Sequence, residues 1–178
     1  MKSGSLIPFR GHMPRVDDQV FLAEGCKVIG DVEIGLGSGV WFNAVIRGDV
    51  NFVRIGAYSN IQDGALVHVH PGTHPAAIGD YVTIGHQAVV HGCTVGNNCL
   101  IGMGAIIMDG VVIGDNSLIG AGTLLTEKKV FPANALLAGS PGRVVRKVSD
   151  AEIAMIRQSA LHYYELSLEY THQTNGRG

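Results

Sequence analysis

The sequence predicts an all-β fold, a parallel β-helix of hexapeptide repeats, followed by one C-terminal α-helix. Three observations carry this. Ile-Gly pairs begin at Ile29, Ile34, Ile55, Ile78, Ile84, Ile101, Ile113 and Ile119, eight in all. Composition alone gives about two, and recurrence of this kind marks a repeat architecture. The spacing is the second observation: Ile78 to Ile84, Val95 to Ile101 and Ile113 to Ile119 are each 6, Ile78 to Val95 is 17, and Val95 to Ile113 and Ile101 to Ile119 are 18. Third, no helical pattern of the kind that separates strands in alternating α/β folds occurs before residue 149.

Each unit reads as an aliphatic residue, often Gly, then polar and small residues, as in Ile101-Gly102-Met103-Gly104-Ala105-Ile106 and Ile119-Gly120-Ala121-Gly122-Thr123-Leu124. The aliphatic side chain points into a narrow prismatic core. Gly follows where backbones approach closely or a corner needs positive φ. One unit makes a flat face, three make a triangular coil, and coils stack about 4.8 Å apart through parallel strand pairing.

The β-helix domain covers 1–148, with coils over about 16–130. Two coils are long: Ile34 to Ile55 is 21 and Ile55 to Ile78 is 23, against an ideal 18. The first excess falls near Val50–Phe52. The second falls at His68–Ala77, which holds Pro71 and Pro75, the only prolines between Val16 and Phe131. Proline is excluded from a hydrogen-bonded coil but suits a loop thrown out from it. Residues 131–148, with Pro132, Pro141 and Gly139-Ser140-Pro141-Gly142-Arg143, read as an irregular closing turn. Ser149-Asp150-Ala151-Glu152 is a capping box. Behind it Ile153, Ile156, Ala160 and Tyr163/Tyr164 fall at helical spacing, so a helix over 149–171 is expected along a coil face, with 172–178 a flexible tail.

A length of 178 residues with 46% hydrophobic content suits one compact domain with a small appendage. Thirteen Lys and Arg stand against fifteen Asp and Glu, a net charge of −2. Between Val16 and Glu127 the only Lys or Arg are Lys27, Arg47 and Arg54, too few for a phosphate-tracking surface, which excludes nucleic acid as a partner. No run of 18 apolar residues exists to span a membrane, and Met1–Arg10 is too weakly apolar for a secretory signal. Cys26, Cys93 and Cys99 form neither an even set nor a CxxC pair and read as reduced thiols of a cytoplasmic protein.

Stacking turns position into geometry. His68 lies 13 residues after Ile55, His91 13 after Ile78, Arg47 13 after Ile34 and Met108 13 after Val95. In register, Arg47, His68 and His91 form one column on adjacent coils. Two imidazoles on neighbouring coils can lean to the spacing that two ligands of a tetrahedral zinc require. His86 lies eight residues past Ile78, above Asp63 one coil below. It precedes His91 by five residues on the same coil, about 16 Å if extended, too far for easy sharing of one ion. A rotated copy brings His86 to its neighbour's His68/His91 pair more readily, and a three-faced prism suggests a trimer with metals at its interfaces. His12, His162 and His172 read as solvated side chains, and His74 as a loop residue.

These residues resemble the γ-class carbonic anhydrases and their hexapeptide-repeat relatives over essentially Val16–Arg146. The carrying motifs are Arg47-Gly48-Asp49, Asn60-Ile61-Gln62-Asp63-Gly64 followed by His68, and Gly85-His86 leading to His91-Gly92-Cys93. The resemblance implies a left-handed β-helix homotrimer in which His68 and His91 of one subunit and His86 of the next hold Zn²⁺, with Co²⁺ or Fe²⁺ as alternatives. It implies an Arg47–Asp49 salt bridge across or beside the interface, and Gln62 beside the metal-bound solvent with Asp63 close to it. The activity implied is reversible hydration of CO₂ to bicarbonate. Three neutral imidazoles leave Zn²⁺ an open position, and its bound water ionises near pH 7, so hydroxide can attack CO₂. Gln62 can hydrogen-bond the hydroxide or bicarbonate oxygen, and Asp63 can orient Gln62 or the hydroxide proton.

One feature departs from the family pattern. The best-studied members carry an acidic loop whose glutamates export the proton, one of them directly after the position of Asp49. Here that position is Val50, and Val69-His70-Pro71-Gly72-Thr73-His74 holds no carboxylate. The expectation is a weak hydratase or a relay through His70, with Tyr164 a weaker candidate for a hydroxyl over the site. Two other function classes stay open: a hexapeptide acyltransferase or metal-assisted thioesterase acting on a coenzyme A ester, and a non-catalytic trimeric assembly subunit.

Overall fold

The computed structural model describes residues 3–175. They form the left-handed parallel β-helix, a solenoid of about seven turns, with one helix, Asp150–Asn175, laid along its side. The first face stacks the start of Val45–Ile55, then Leu66–His68, Val89–His91, Ile106–Ile107 and Leu124–Leu125. The second stacks the end of Val45–Ile55, then Ala76–Ile78, Thr94–Val95, Val112–Ile113 and Val130–Phe131. The third stacks Phe21–Leu22, Gly39–Val40, Asn60–Ile61, Thr83–Ile84, Leu100–Ile101, Leu118–Ile119 and Ala135–Gly139. Faces one and two share a 12-stranded sheet because Lys27–Ile34 and Val45–Ile55 turn the corner unbroken.

The core is three ladders of inward aliphatic side chains. Ile46, Val67, Val90, Ile107 and Leu125 line face one, Ile55, Ile78, Val95 and Ile113 face two, and Val40, Ile61, Ile84, Ile101 and Ile119 face three; all are buried. Ile29 is the exception among the Ile-Gly pairs. It follows the inward Val28, so strand alternation turns it outward, half-buried opposite Arg47. Smaller columns fill the corners. Cys26, Ala44, Ala65, Ala88 and Ala105 are buried one residue before the face-one strands. Ser38, Ser59, Val82, Cys99 and Ser117 do the same for face three, and their hydroxyls bond backbone: Ser59 Oγ donates to Gly79 O at 2.9 Å and Ser117 Oγ to Gly114 O at 2.7 Å. The cysteines are therefore packing residues. Burial pushes the Cys93 and Cys99 thiols up to about 12 and Cys26 to about 11.

Both long coils carry their excess where the spacing puts it. Gly30 pairs with Gly48 but Val32 with Val53, so Asp49–Phe52 bulge out opposite Asp31. The second excess is a loop pinched off by His70 and His74, whose backbones pair antiparallel, with His70 N donating to His74 O at 2.9 Å.

Two boundaries differ from expectation. Residues 131–148 are not an irregular turn: Ala135–Gly139 extends the third face, and Gly142–Lys147 folds back on it antiparallel through a cis Ser140–Pro141 bond. That strand occupies the edge on which another coil would pair. The helix also runs past Thr171 to Asn175, because Tyr170 is clamped among Phe21, Trp41 and Phe42 and holds its last turns down. Residues 176–178 of the expected tail lie outside the described residues. The capping box forms, with Ser149 N donating to Glu152 Oε2 at 2.9 Å and Glu152 N to Ser149 Oγ at 3.3 Å. Among the described residues no helix is long and apolar enough to cross a membrane.

Ile101 stands fully buried between Ile84 and Ile119. Ile101→Ala should destabilise the fold by about 2–5 kcal/mol, read from the denaturant midpoint at unchanged slope.

Candidate metal centre

His68 and His91 are the last residues of their face-one strands and pair in register. Their rings converge: His68 Nδ1 lies 3.0 Å from His91 Nε2. Two nitrogens bound to one tetrahedral zinc at ordinary Zn–N distances stand about 3.3 Å apart, so this pair fits two adjacent ligand positions with little adjustment. The remaining nitrogen of each ring is held by a carboxylate. His68 Nε2 meets Asp49 Oδ1 at 3.0 Å, and His91 Nδ1 hydrogen-bonds Asp109 Oδ1. Such carboxylate–histidine pairs set ring orientation and raise ligand basicity.

His86 stands elsewhere. It lies at the corner between Thr83–Ile84 on face three and Val89–His91 on face one, so the width of face one separates it from His91. Among the described residues no three His, Cys, Asp or Glu side chains gather as a metal-binding group. One chain thus brings together two of the three predicted ligands. His86 has its own carboxylate, Asp63, whose Oδ2 lies 2.9 Å from His86 Nδ1 and whose Oδ1 accepts from Phe42 N at 3.0 Å.

Several predicted roles change partners. Asp63 holds His86 rather than Gln62. The Gln62 amide, almost fully buried, donates to Asn60 Oδ1 at 3.1 Å, and Asn60 in turn donates to Thr83 Oγ1 at 3.0 Å. Arg47 and Asp49 form their ion pair within one chain, and Asp49 also bridges Arg47 to His68. Although burial opposes its ionisation, the bonds from His68 and Arg47 keep the Asp49 carboxyl below its usual range. His70 stays in the exposed loop, its Nδ1 within 3.0 Å of Thr73 Oγ1. Tyr164 does not overlie the histidines: it packs edge-on against Tyr58. Its neighbour Tyr163 reaches the site instead, lining a cavity of about 310 Å³ with Gln62, Thr83, His86 and Met103. Burial and the Asp63 charge raise the Tyr163 pKa, so its phenol remains a proton donor at neutral pH.

Thr83 and Asp109 were missed and Asn60 appeared only within a motif, without a role, yet rung arithmetic reaches all three. Thr83 pairs with Asn60, and Asp109 follows Met108, which sits one coil above His91. Tyr163 carries no such signal, because repeat spacing says nothing about how the helix is rotated on its face.

Burial lowers the His68 pKa below its ordinary 6.5, helped by the Arg47 charge and His91 and opposed by the Asp49 bond. In chelator-treated protein, a proton NMR titration should therefore place the His68 midpoint below 6.5. The folded state favours the neutral ring, so the stability tied to His68 is present in full above the unfolded value and is lost as pH falls through the folded one.

Known proteins resemble this chain in sequence and in fold. The family model described as "Bacterial transferase hexapeptide (six repeats)" matches residues 92–127, and "Hexapeptide repeat of succinyl-transferase" matches 75–108. The chain is 57% identical over 152 residues to a Methanocaldococcus jannaschii protein named "Probable carbonic anhydrase", covering 85% of this chain and 95% of that one. It is 48% identical over 159 residues to "Gamma carbonic anhydrase 1, mitochondrial" of Arabidopsis thaliana, covering 86% of this chain but only 58% of that protein's length. Among solved structures, a hexapeptide transferase family protein from Anaplasma phagocytophilum superposes with a TM-score of 0.90 at 40% identity, covering 96% of this chain and 99% of that one.

Proposed function

This chain belongs to the γ-carbonic anhydrase family of hexapeptide-repeat proteins, and we propose that it catalyses the reversible hydration of CO₂ to bicarbonate at a zinc site shared between subunits of a homotrimer. The observation that carries this reading is the pair of imidazole nitrogens facing each other at 3.0 Å while His86 sits across the face from them. His68 and His91 of one subunit and His86 of the next would hold the ion, and Co²⁺ or Fe²⁺ suits the same donors. Zinc bound by neutral imidazoles supplies the Lewis acidity that makes hydroxide available near neutral pH.

The chain's own residues do the rest. Asp49, Asp63 and Asp109 each hold one of the three imidazoles. Gln62 commits one amide hydrogen to Asn60 and keeps its second N–H to donate to an oxygen of CO₂ or bicarbonate, while its carbonyl can accept only from the hydroxyl of bicarbonate. Tyr163, protonated at neutral pH, offers a further donor on the same cavity, whose Leu100 and Met103 lining suits an apolar gas. The exposed His70 loop beside His68 takes the place of a carboxylate relay. Buried unpaired thiols agree with a reducing compartment such as the cytoplasm.

Acyl transfer or thioester cleavage on a coenzyme A ester is the second reading, favoured by the transferase name of the Anaplasma structure. A purely structural assembly subunit is the third. Zinc content per subunit, CO₂ hydration and a panel of coenzyme A esters, all measured on one preparation, separate the three.

Two outcomes are expected. His86→Ala and His91→Ala should each abolish hydration and zinc retention alone, while trimers reassembled from a mixture of the two should recover part of both. A centre built within one chain would show no such recovery. His70→Ala should lower kcat several-fold in weak buffer with kcat/KM unchanged, and added imidazole should restore it; an unchanged kcat removes His70 from the proton route.

A further inference from the structure

We propose that Asp109 is a positioning residue: it fixes the ring orientation and tautomer of His91 so that Nε2 presents a lone pair toward His68. The inference rests on the proposed metal centre and deepens it. Asp109 lies on the corner one coil above His91, just past Ile107, the partner of Val90. Its carboxylate reaches back and down to His91 Nδ1. An ionised carboxylate only accepts hydrogen bonds, so it demands the proton on Nδ1 and leaves Nε2 bare. Nε2 is the atom that faces His68 Nδ1 at 3.0 Å.

The backbone makes room for this contact. A Cβ on Gly92 would lie 2.3 Å from Asp109 Oδ1, in the space the carboxylate occupies. Gly92 also has φ +51, a conformation in which a side chain is strained. Position 92 therefore serves the carboxylate above it as well as the corner. Asp109 is mostly shielded from solvent, with its side chain 17% exposed, and it makes no ion pair with a Lys or Arg among the described residues. Its partner is the histidine.

Asparagine at 109 is nearly isosteric but can turn its amide and donate to His91 Nδ1. That permits the Nε2–H tautomer, which has no lone pair for an ion. Asp109→Asn should weaken zinc binding by about 10–100-fold, measured by competition with a chromogenic chelator. In zinc-free protein, long-range ¹H–¹⁵N NMR should show His91 as the Nδ1–H tautomer in the wild type and a mixture in Asp109→Asn. Asp109→Ala should give the same mixture, and Asp109→Glu should restore much of the affinity. The thermal midpoint of the zinc-free variants serves as the control, because a merely structural role would move it and leave the tautomer alone. Tight zinc binding by the wild type, with affinity and tautomer both unchanged in Asp109→Asn, would overturn this inference by itself. Wild-type protein that takes up no zinc would overturn the proposed metal centre, and this inference with it.

Discussion

Parallel pairing between coils makes residues 17 to 23 positions apart neighbours in space, and on it depend the His68–His91 contact and the contacts of His68, His86 and His91 with their carboxylates. His91 pairs with His68 at an offset of 23 because Thr83 pairs with Asn60 and Ile84 with Ile61 at the same offset. A one-residue slip on any coil would turn inward aliphatics outward and outward histidines into the core. Burial of the three aliphatic ladders therefore locks the register of the outer face as firmly as that of the inner one. The polar site inherits its precision from an apolar core it never touches.

The same geometry explains why one chain brings together only two of the three imidazoles of the proposed centre. A flat face about five residues wide holds a side chain at each edge, and a rigid prism cannot fold those edges together. His68 and His91 share one edge and His86 occupies the other. Each ring nevertheless arrives oriented, with its own carboxylate on one nitrogen. Preorganisation of both halves reduces the ordering that assembly would otherwise cost.

Repeat spacing made most of this legible. It located the coils, the bulge near Val50–Phe52, the proline loop, and the His68/His91 pair. What it missed has identifiable physical causes. Ile29 matched the dipeptide but fell on the outward phase of its strand. The closing segment read as irregular because a chain that reverses its pairing direction leaves the hexad pattern, although its hydrogen bonds remain regular. Tyr163 rather than the expected Tyr164 faces the cavity: adjacent helical residues differ by about 100° in direction, and Tyr163 is the one that packs edge-on against Trp41.

A hexapeptide solenoid also carries acyl transfer, so the fold cannot discriminate between activities, and the site must. A general base needs one imidazole whose free nitrogen faces a substrate proton. Here two imidazole nitrogens face each other at 3.0 Å, and each ring has a carboxylate in hydrogen-bonding contact with its other nitrogen, which in the proposed centre takes that nitrogen's proton. Two bare lone pairs at that distance repel, and a shared proton would leave a cation where the burial of His68 already disfavours charge on its ring. The arrangement is relieved by a cation that accepts from both nitrogens. In the proposed centre that electrostatic requirement favours a metal over a base, and it arises from Asp49 and Asp109 as much as from the histidines they hold.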